Sequence, residues 1–214
     1  LAVSHRLQRS FSVEILSFIV GPIQENCYVI ADGGDAIVVD PGEAAPELLT
    51  ALDDYNVTTI LLTHSHMDHV GGAAGVKEKT GAKLVCHRDA APMLKAAADD
   101  GARMGMDIPP LPAPDEFLDE GDTVTVGEIT LRVVYVPGHA PGHLAFIGDG
   151  FVAVGDVLFA GSVGRSDLPG GSHEVLLDSI RTKLLPLDDD TVVLSGHGPA
   201  TTIGREHAMN PFLQ

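Results

Sequence analysis

The chain has 214 residues, 44% of them hydrophobic and 20% charged, which is enough for a sizeable core and outside the range of disordered, collagen-like or coiled-coil chains. Lys and Arg number 13 against 30 Asp and Glu, a formal net charge of −17, and this argues against nucleic acid or anionic lipid as a main partner, since both need a basic face. No apolar run reaches the roughly 18 residues of a spanning helix, and the two cysteines, Cys27 and Cys86, sit in apolar strand-like runs without CxxC spacing. The expectation is a cytoplasmic protein with two buried free thiols and no membrane partner.

Residues 1–10 are expected to be a poorly ordered tail, and 11–214 a single domain. Leu1 to Ser12 holds His5, Arg6 and Arg9 and no acid, loosely like the remnant of a transit peptide, although a trimmed or frayed start fits better. Phe11 to Val20 reads as a strand, Gly21-Pro22 as a turn and Asn26 to Ala31 as a second strand. Asp32-Gly33-Gly34-Asp35 is a tight turn, and Ala36 to Val39 a short buried strand ending in Asp40-Pro41-Gly42. Pro46 to Tyr55 fits a helix, Thr58 to Leu62 a buried strand, Val70 to Thr80 a helix stopped by Gly81, Lys83 to Cys86 a strand and Ala90 to Ala102 a helix. Pro109, Pro110, Pro112 and Pro114 make Gly105 to Phe117 a surface excursion. Strands follow at Asp122 to Val126, Ile129 to Val136, Leu144 to Ile147 and Phe151 to Val154. A helix at Val175 to Leu184, a strand at Thr191 to Leu194 and a last helix from near Thr202 complete the chain.

The halves echo each other. Ala36-Ile37-Val38-Val39-Asp40 resembles Val152-Ala153-Val154-Gly155-Asp156. Thr59 to His64 resembles Thr191 to His197. In each case a buried strand runs into an Asp or a His, which predicts two β/α halves presenting polar residues at one shared edge, where α/β folds place their sites.

The segment with the most chemistry is Thr63-His64-Ser65-His66-Met67-Asp68-His69, directly after a buried strand. Crowded imidazolium ions repel, whereas neutral imidazoles sharing a divalent cation do not. His64 and His66, two apart, can face one metal from an extended segment, and Asp68 and His69 can reach a second. His139 and His143 in Pro137-Gly138-His139-Ala140-Pro141-Gly142-His143, Asp156 after Gly155, and His197 in Gly196-His197-Gly198-Pro199 each follow a strand. With the cluster, these donors make a set suited to two divalent ions.

The HxHxDH motif, the distant His, the later Gly-Asp and the final Gly-His-Gly resemble the metallo-β-lactamase superfamily from about Phe11 to Leu213. The resemblance implies an α/β fold, a four-layer αββα sandwich. The loops at Pro137 to His143, Gly155 to Phe159, Gly164 to Gly171 and Gly196 to Gly204 are similar to the hydroxyacylglutathione hydrolase (glyoxalase II) branch. By resemblance, His64, His66 and His139 would hold one ion, Asp68, His69 and His197 the other, and Asp156 would bridge, with Asp68 and Asp156 also catalytic. Asp40 and His143 would support the ligands from behind. Arg165 would either meet substrate or brace its own loop. His5, His87, His173 and His207 are read as ordinary surface or packing residues.

The implied chemistry is hydrolysis of an acyl thioester, S-lactoylglutathione-like, by a metal-bound hydroxide. Two divalent ions per chain are implied, Zn or Zn/Fe, with Mn also suited to such ligands. A thiolate leaves without a strong general acid. The partner is therefore a small-molecule substrate; the sequence carries no signal of oligomeric state. Glyoxalase II adds a helical C-terminal extension that binds glutathione. This sequence runs to Gln214, seventeen residues past His197, so weak glutathione recognition is expected. Other readings on the same fold are a mono-iron persulfide dioxygenase, whose positions would match His64, His139 and Asp156, and a lactonase or β-lactamase.

Overall fold

The computed structural model describes residues 13–214 in full and, before them, the backbone of 5–9. The first sheet has seven strands in chain order: β1 (His5–Arg9), β2 (Glu14–Val20), β3 (Glu25–Asp32), β4 (Asp35–Val39), β5 (Asn56–Leu61), β6 (Lys83–Cys86) and β7 (Glu116–Phe117). Between them run the helices α1 (Pro46–Ala51), α2 (Met67–Val70), α3 (Ala73–Thr80) and α4 (Ala91–Arg103). β1 to β4 form an antiparallel meander, and β4 to β7 run parallel.

The second half repeats the scheme. β8 (Thr123–Val126), β9 (Ile129–Tyr135), β10 (Leu144–Ile147) and β11 (Phe151–Gly155) are an antiparallel meander. A small hairpin, β12 (Leu158–Phe159) with β13 (Ser162–Val163), and α5 (His173–Ser179) precede β14 (Val192–Ser195), which pairs parallel with β11. β15 (Thr201–Thr202) closes that sheet, and α6 (Ile203–Met209) follows it.

Alternation along the strands decides the layering. Ile15, Ile30, Ile37 and Leu61 of one sheet meet Leu131, Val133, Phe146 and Leu194 of the other in the central core. The opposite face of the first sheet, with Val29, Val38 and Ile60, packs Leu48, Val76 and Leu94 of the helices. The outer face of the second, with Val134, Val152 and Val193, packs Leu176, Ile180 and Ile203. These are the four layers, αββα. Among the described residues no helix is long and apolar enough to cross a membrane, and Cys27 and Cys86 are buried free thiols.

Three expectations need correction. His5–Arg9, placed in the tail, is an edge strand on β2; pairing at an edge uses backbone groups alone, so its polar sequence carried no alternation to read. The rest of 1–12 lies outside the described residues. The helix expected over Val70 to Thr80 is two helices broken at Gly71-Gly72. There Gly72 N–H donates to Pro41 O at 2.7 Å, and a Cβ on Gly72 would sit 2.4 Å from Ala44 N, so the loop after β4 occupies the space a continuous helix would need. The helix expected to reach Leu184 is α5 as far as Ser179, and a π turn continues it over Ile180–Leu184.

Candidate metal centre

The residues singled out by type and spacing converge at the strand ends. β4 and β5 pair side by side in parallel, as do β11 and β14, so Asp40 and His64 leave one sheet beside each other, and Asp156 and His197 leave the other. The loop after β9 adds His139, and the first turn of α2 adds Asp68 and His69.

Two clusters result. His64 Nε2 and His139 Nε2 lie 3.0 and 2.9 Å from His66 Nδ1. His197 Nε2 is 3.2 Å from Asp68 Oδ2, and His69 Nε2 is 3.9 Å from that same oxygen. Asp156 stands between them. Its Oδ1 is 3.4 Å from His69 Nε2, and its Oδ2 is 3.7 Å from both His139 Nε2 and His197 Nε2. The donor atoms of His64, His66 and His139 lie within 4.8 Å of one another, as do those of Asp68, His69 and His197, a spacing that could hold a metal ion.

Hydrogen bonds behind the rings aim them. His64 Nδ1–H donates to Thr63 Oγ1 at 2.9 Å, and that hydroxyl donates to Asp40 Oδ2 at 2.6 Å. His69 Nδ1–H donates to the same Asp40 oxygen at 3.0 Å, while Asp40 Oδ1 accepts Thr63 N–H at 2.7 Å. His139 Nδ1–H donates to Arg165 O at 2.7 Å, and His197 Nδ1–H to Gln24 O at 3.3 Å. With one nitrogen so engaged, each of these rings presents the other, as a lone-pair donor, to the common space. Asp40, His64 and His69 also fall within metal-binding reach of one another, but both Asp40 oxygens already accept hydrogen bonds, which fits support rather than ligation. His143 stacks on His64, with centroids 4.5 Å apart, and donates from Nε2 to Val154 O; it braces the ring from behind.

Electrostatically the clusters differ. Burial pushes His64 and His143 well below the ordinary imidazole value, His66 to about 4 and His139 below it, and neighbouring imidazoles add to this at His64 and His66. Burial opposes charge on His69 and His197 as well, but Asp156 and Asp40 outweigh it at the first and the hydrogen bond to Asp68 at the second, so both are raised. Burial would raise Asp68 and Asp156. The His197 bond at Asp68 and the His69 charge at Asp156 win, and both carboxyls lie below the usual range. One cluster is neutral nitrogen and the other mixes carboxylate with imidazole. His69 Nε2 and Asp156 Oδ1 are buried without a hydrogen-bond partner, and a shared cation is the group that satisfies both.

Several contributors were not foreseen. Thr63 relays His64 to Asp40. Asn26 Nδ2 donates to Ser195 O at 3.0 Å and Gly198 O at 2.8 Å, stitching β3 to the loop that carries His197. Removing both bonds in Asn26→Ala is expected to cost roughly 1–3 kcal/mol and to lower metal content at the Asp68, His69 and His197 cluster, read by thermal melting and elemental analysis. Glu25, buried and with neither carboxylate oxygen hydrogen-bonded, lies 3.8 Å from His69. Burial pushes its carboxyl well above the ordinary value.

Arg165 resolves toward its own loop. Its guanidinium forks onto Asp167, with both N–O distances 2.9 Å, and only its carbonyl enters the site. Arg165→Ala is therefore expected to change KM for a thioester less than about threefold, since an exposed ion pair contributes little; steady-state kinetics check this. His87 stacks on Tyr135 and accepts Asp89 N–H, and so has a packing role.

A four-layer sandwich with a three-histidine cluster and an Asp/His/His cluster at its strand ends has the donors of a metal-dependent enzyme. The model of the metallo-β-lactamase superfamily matches residues 20–197, and the chain belongs to that superfamily. It is 39% identical over 209 residues to the hydroxyacylglutathione hydrolase GloC of Haemophilus influenzae, covering 94% of this chain and 98% of that protein. Among solved structures it is similar to the BLEG-1 B3 metallo-β-lactamase, with TM-score 0.88, 38% identity and coverage of 94% and 99% of the two chains. It is also similar to TTHA1623 in a di-iron-bound form, with TM-score 0.83, 40% identity and coverage of 91% and 98%.

Proposed function

We propose that the protein is a dinuclear metal-dependent hydrolase that cleaves acyl thioesters. His64, His66 and His139 would hold one divalent ion, Asp68, His69 and His197 the other, and Asp156 would bridge. The observation that carries this reading is the position of Asp156, whose Oδ2 lies 3.7 Å from a histidine of each cluster while its Oδ1 faces His69. Zinc, or zinc with iron, suits the donors, and the di-iron form of TTHA1623 supports a two-ion site on this backbone. Bound ions would supply Lewis acidity to a water and to the acyl carbonyl.

The chain does the positioning. Asp40, through Thr63 and directly, fixes His64 and His69, and the Arg165 and Gln24 carbonyls fix His139 and His197. A thiolate leaving group needs no protonation by a strong acid, so the set of groups present suffices. The likeness to GloC supports a thioester substrate. The likeness to BLEG-1 favours β-lactam hydrolysis as a second reading.

Elemental analysis by mass spectrometry, followed by a panel of thioesters and β-lactams, tests the proposal. Close to two metals per chain with thioester turnover is the expected result. One iron per chain, with oxygen uptake on glutathione persulfide, would replace it with the dioxygenase reading. Turnover of β-lactams alone would promote the second reading.

A further inference from the structure

Beside the metal centre, the β2–β3 turn and the segment after α4 enclose a cleft of about 280 Å³, close to the lower end of small-molecule sites, roughly 300 Å³. Met67 and Asp68, at the start of α2, lie in its wall, so it opens directly onto the proposed ligand Asp68. Val20, Pro22, Ile23, Met106 and Ile108 add further apolar surface.

The sequence builds this cleft deliberately at two points. Gly101 of α4 lets Ile108 pack so closely that a Cβ there would lie 2.6 Å from Ile108 Cδ1, and Gly71 leaves room on the other side, 3.4 Å from Ile108 Cγ1. The proline-rich excursion, whose role the sequence left open, thus delivers Met106 and Ile108 to the mouth of the site. Ile23 stands 39% exposed on the opposite lip, an apolar group with no packing reason to face solvent.

Charge selects further. The ionisable groups in the wall are Glu43, Asp68 and Asp107, with no Lys, Arg or His among the lining residues. Arg103, two residues before the cleft begins, is tied to Asp100. Glu43 and Asp107, which are not among the proposed metal ligands and have no cation beside them in the wall, disfavour an anionic occupant.

We infer that this cleft is the acyl subsite and that it takes an uncharged aliphatic acyl chain rather than an anionic one. This rests on the thioesterase reading and narrows its substrate class. Desolvating each added methylene there raises the rate without new polar contacts.

Two measurements on the full-length, metal-loaded protein test it. The first is kcat/KM for acetyl, butanoyl, hexanoyl and succinyl thioesters of N-acetylcysteamine, a neutral thiol. A rise of roughly two- to fourfold per methylene is expected from acetyl to hexanoyl, with succinyl at least about tenfold below butanoyl. In Ile23→Ser and Met106→Ser the hexanoyl-to-acetyl ratio is expected to collapse towards one. The second is methyl NMR of [13C-methyl]methionine protein titrated with the 2-oxoheptyl thioether of N-acetylcysteamine, which cannot be hydrolysed. Met67 and Met106 are expected to shift, while Met93 and Met209 stay still.

Thioester turnover without chain-length preference, or with succinyl preferred, and with Met67 and Met106 unmoved, would overturn the subsite and leave the thioesterase intact. Shifts at Met67 and Met106 with no turnover of any thioester would support the subsite and overturn the thioesterase.

Discussion

Asp156→Asn is expected to strip the protein of metal while leaving its sandwich folded. The amide preserves the volume at a buried position where a neighbouring glycine leaves no slack: a Cβ on Gly196 would come within 2.3 Å of Asp156 Oδ1. What the substitution removes is the charge that lies between the two clusters and one of the two oxygens that face them. Changing an outer residue behind a metal ligand costs about 10–100-fold in metal affinity or activity, so losing a bridging ligand should cost about a hundredfold or more in both. Metal per chain by mass spectrometry, thioester turnover and circular dichroism read the three quantities separately. A variant with unchanged metal content and rate would sink the assignment of Asp156 as the bridge.

Asp40→Ala should act on stability as strongly as Asp156→Asn acts on metal. Asp40 is 2% exposed and takes three hydrogen bonds, from Thr63 N–H, Thr63 Oγ1–H and His69 Nδ1–H. Truncation leaves those donors buried and unmet, at about 1–3 kcal/mol each when water cannot reach them. The backbone adds to the cost, because Asp40 has φ of 49°, a left-handed conformation that Asp tolerates better than Ala. A loss of roughly 3–5 kcal/mol is expected, or a melting temperature lower by roughly 10 °C for a chain of this size. Asp40→Asn, which keeps one acceptor oxygen and the same backbone tolerance, should fall in between. A melting temperature for Asp40→Ala within about 1 °C of the parent would refute the load assigned to this side chain.

How far the sequence could be read depended on how local each signal was. His64, His66, Asp68 and His69 are legible because three imidazoles and a carboxylate in one short run have few structural uses. His139, Asp156 and His197 were legible as a pattern, each following a buried strand, and the echo between the halves became the paired parallel strands β4–β5 and β11–β14. Thr63 sits beside the motif in plain view, yet its role depends on Asp40, whose approach is set by the parallel pairing of two strands. The break at Gly71-Gly72 was illegible because the loop after β4 dictates it. β1, β7, β12, β13 and β15 escaped because edge or two-residue strands rest on backbone pairing, which leaves no hydrophobic period. For Arg165 the sequence left substrate contact and bracing of its own loop both open; its guanidinium braces the loop through Asp167, and its carbonyl meets His139.

The division of the ligands between the two halves of the chain has a mechanical meaning. His66 and His139 are 73 residues apart in sequence and 2.9 Å apart in space, and His69 and His197 close a longer loop around the same point. An ion held in either cluster would therefore work as a removable staple, joining segments that the backbone links only through a long detour. Cross-links across long loops restrict the unfolded chain most. Chelation should thus loosen the seam between the two sheets before it disturbs either sheet, and the protein's resistance to unfolding would track the supply of metal around it.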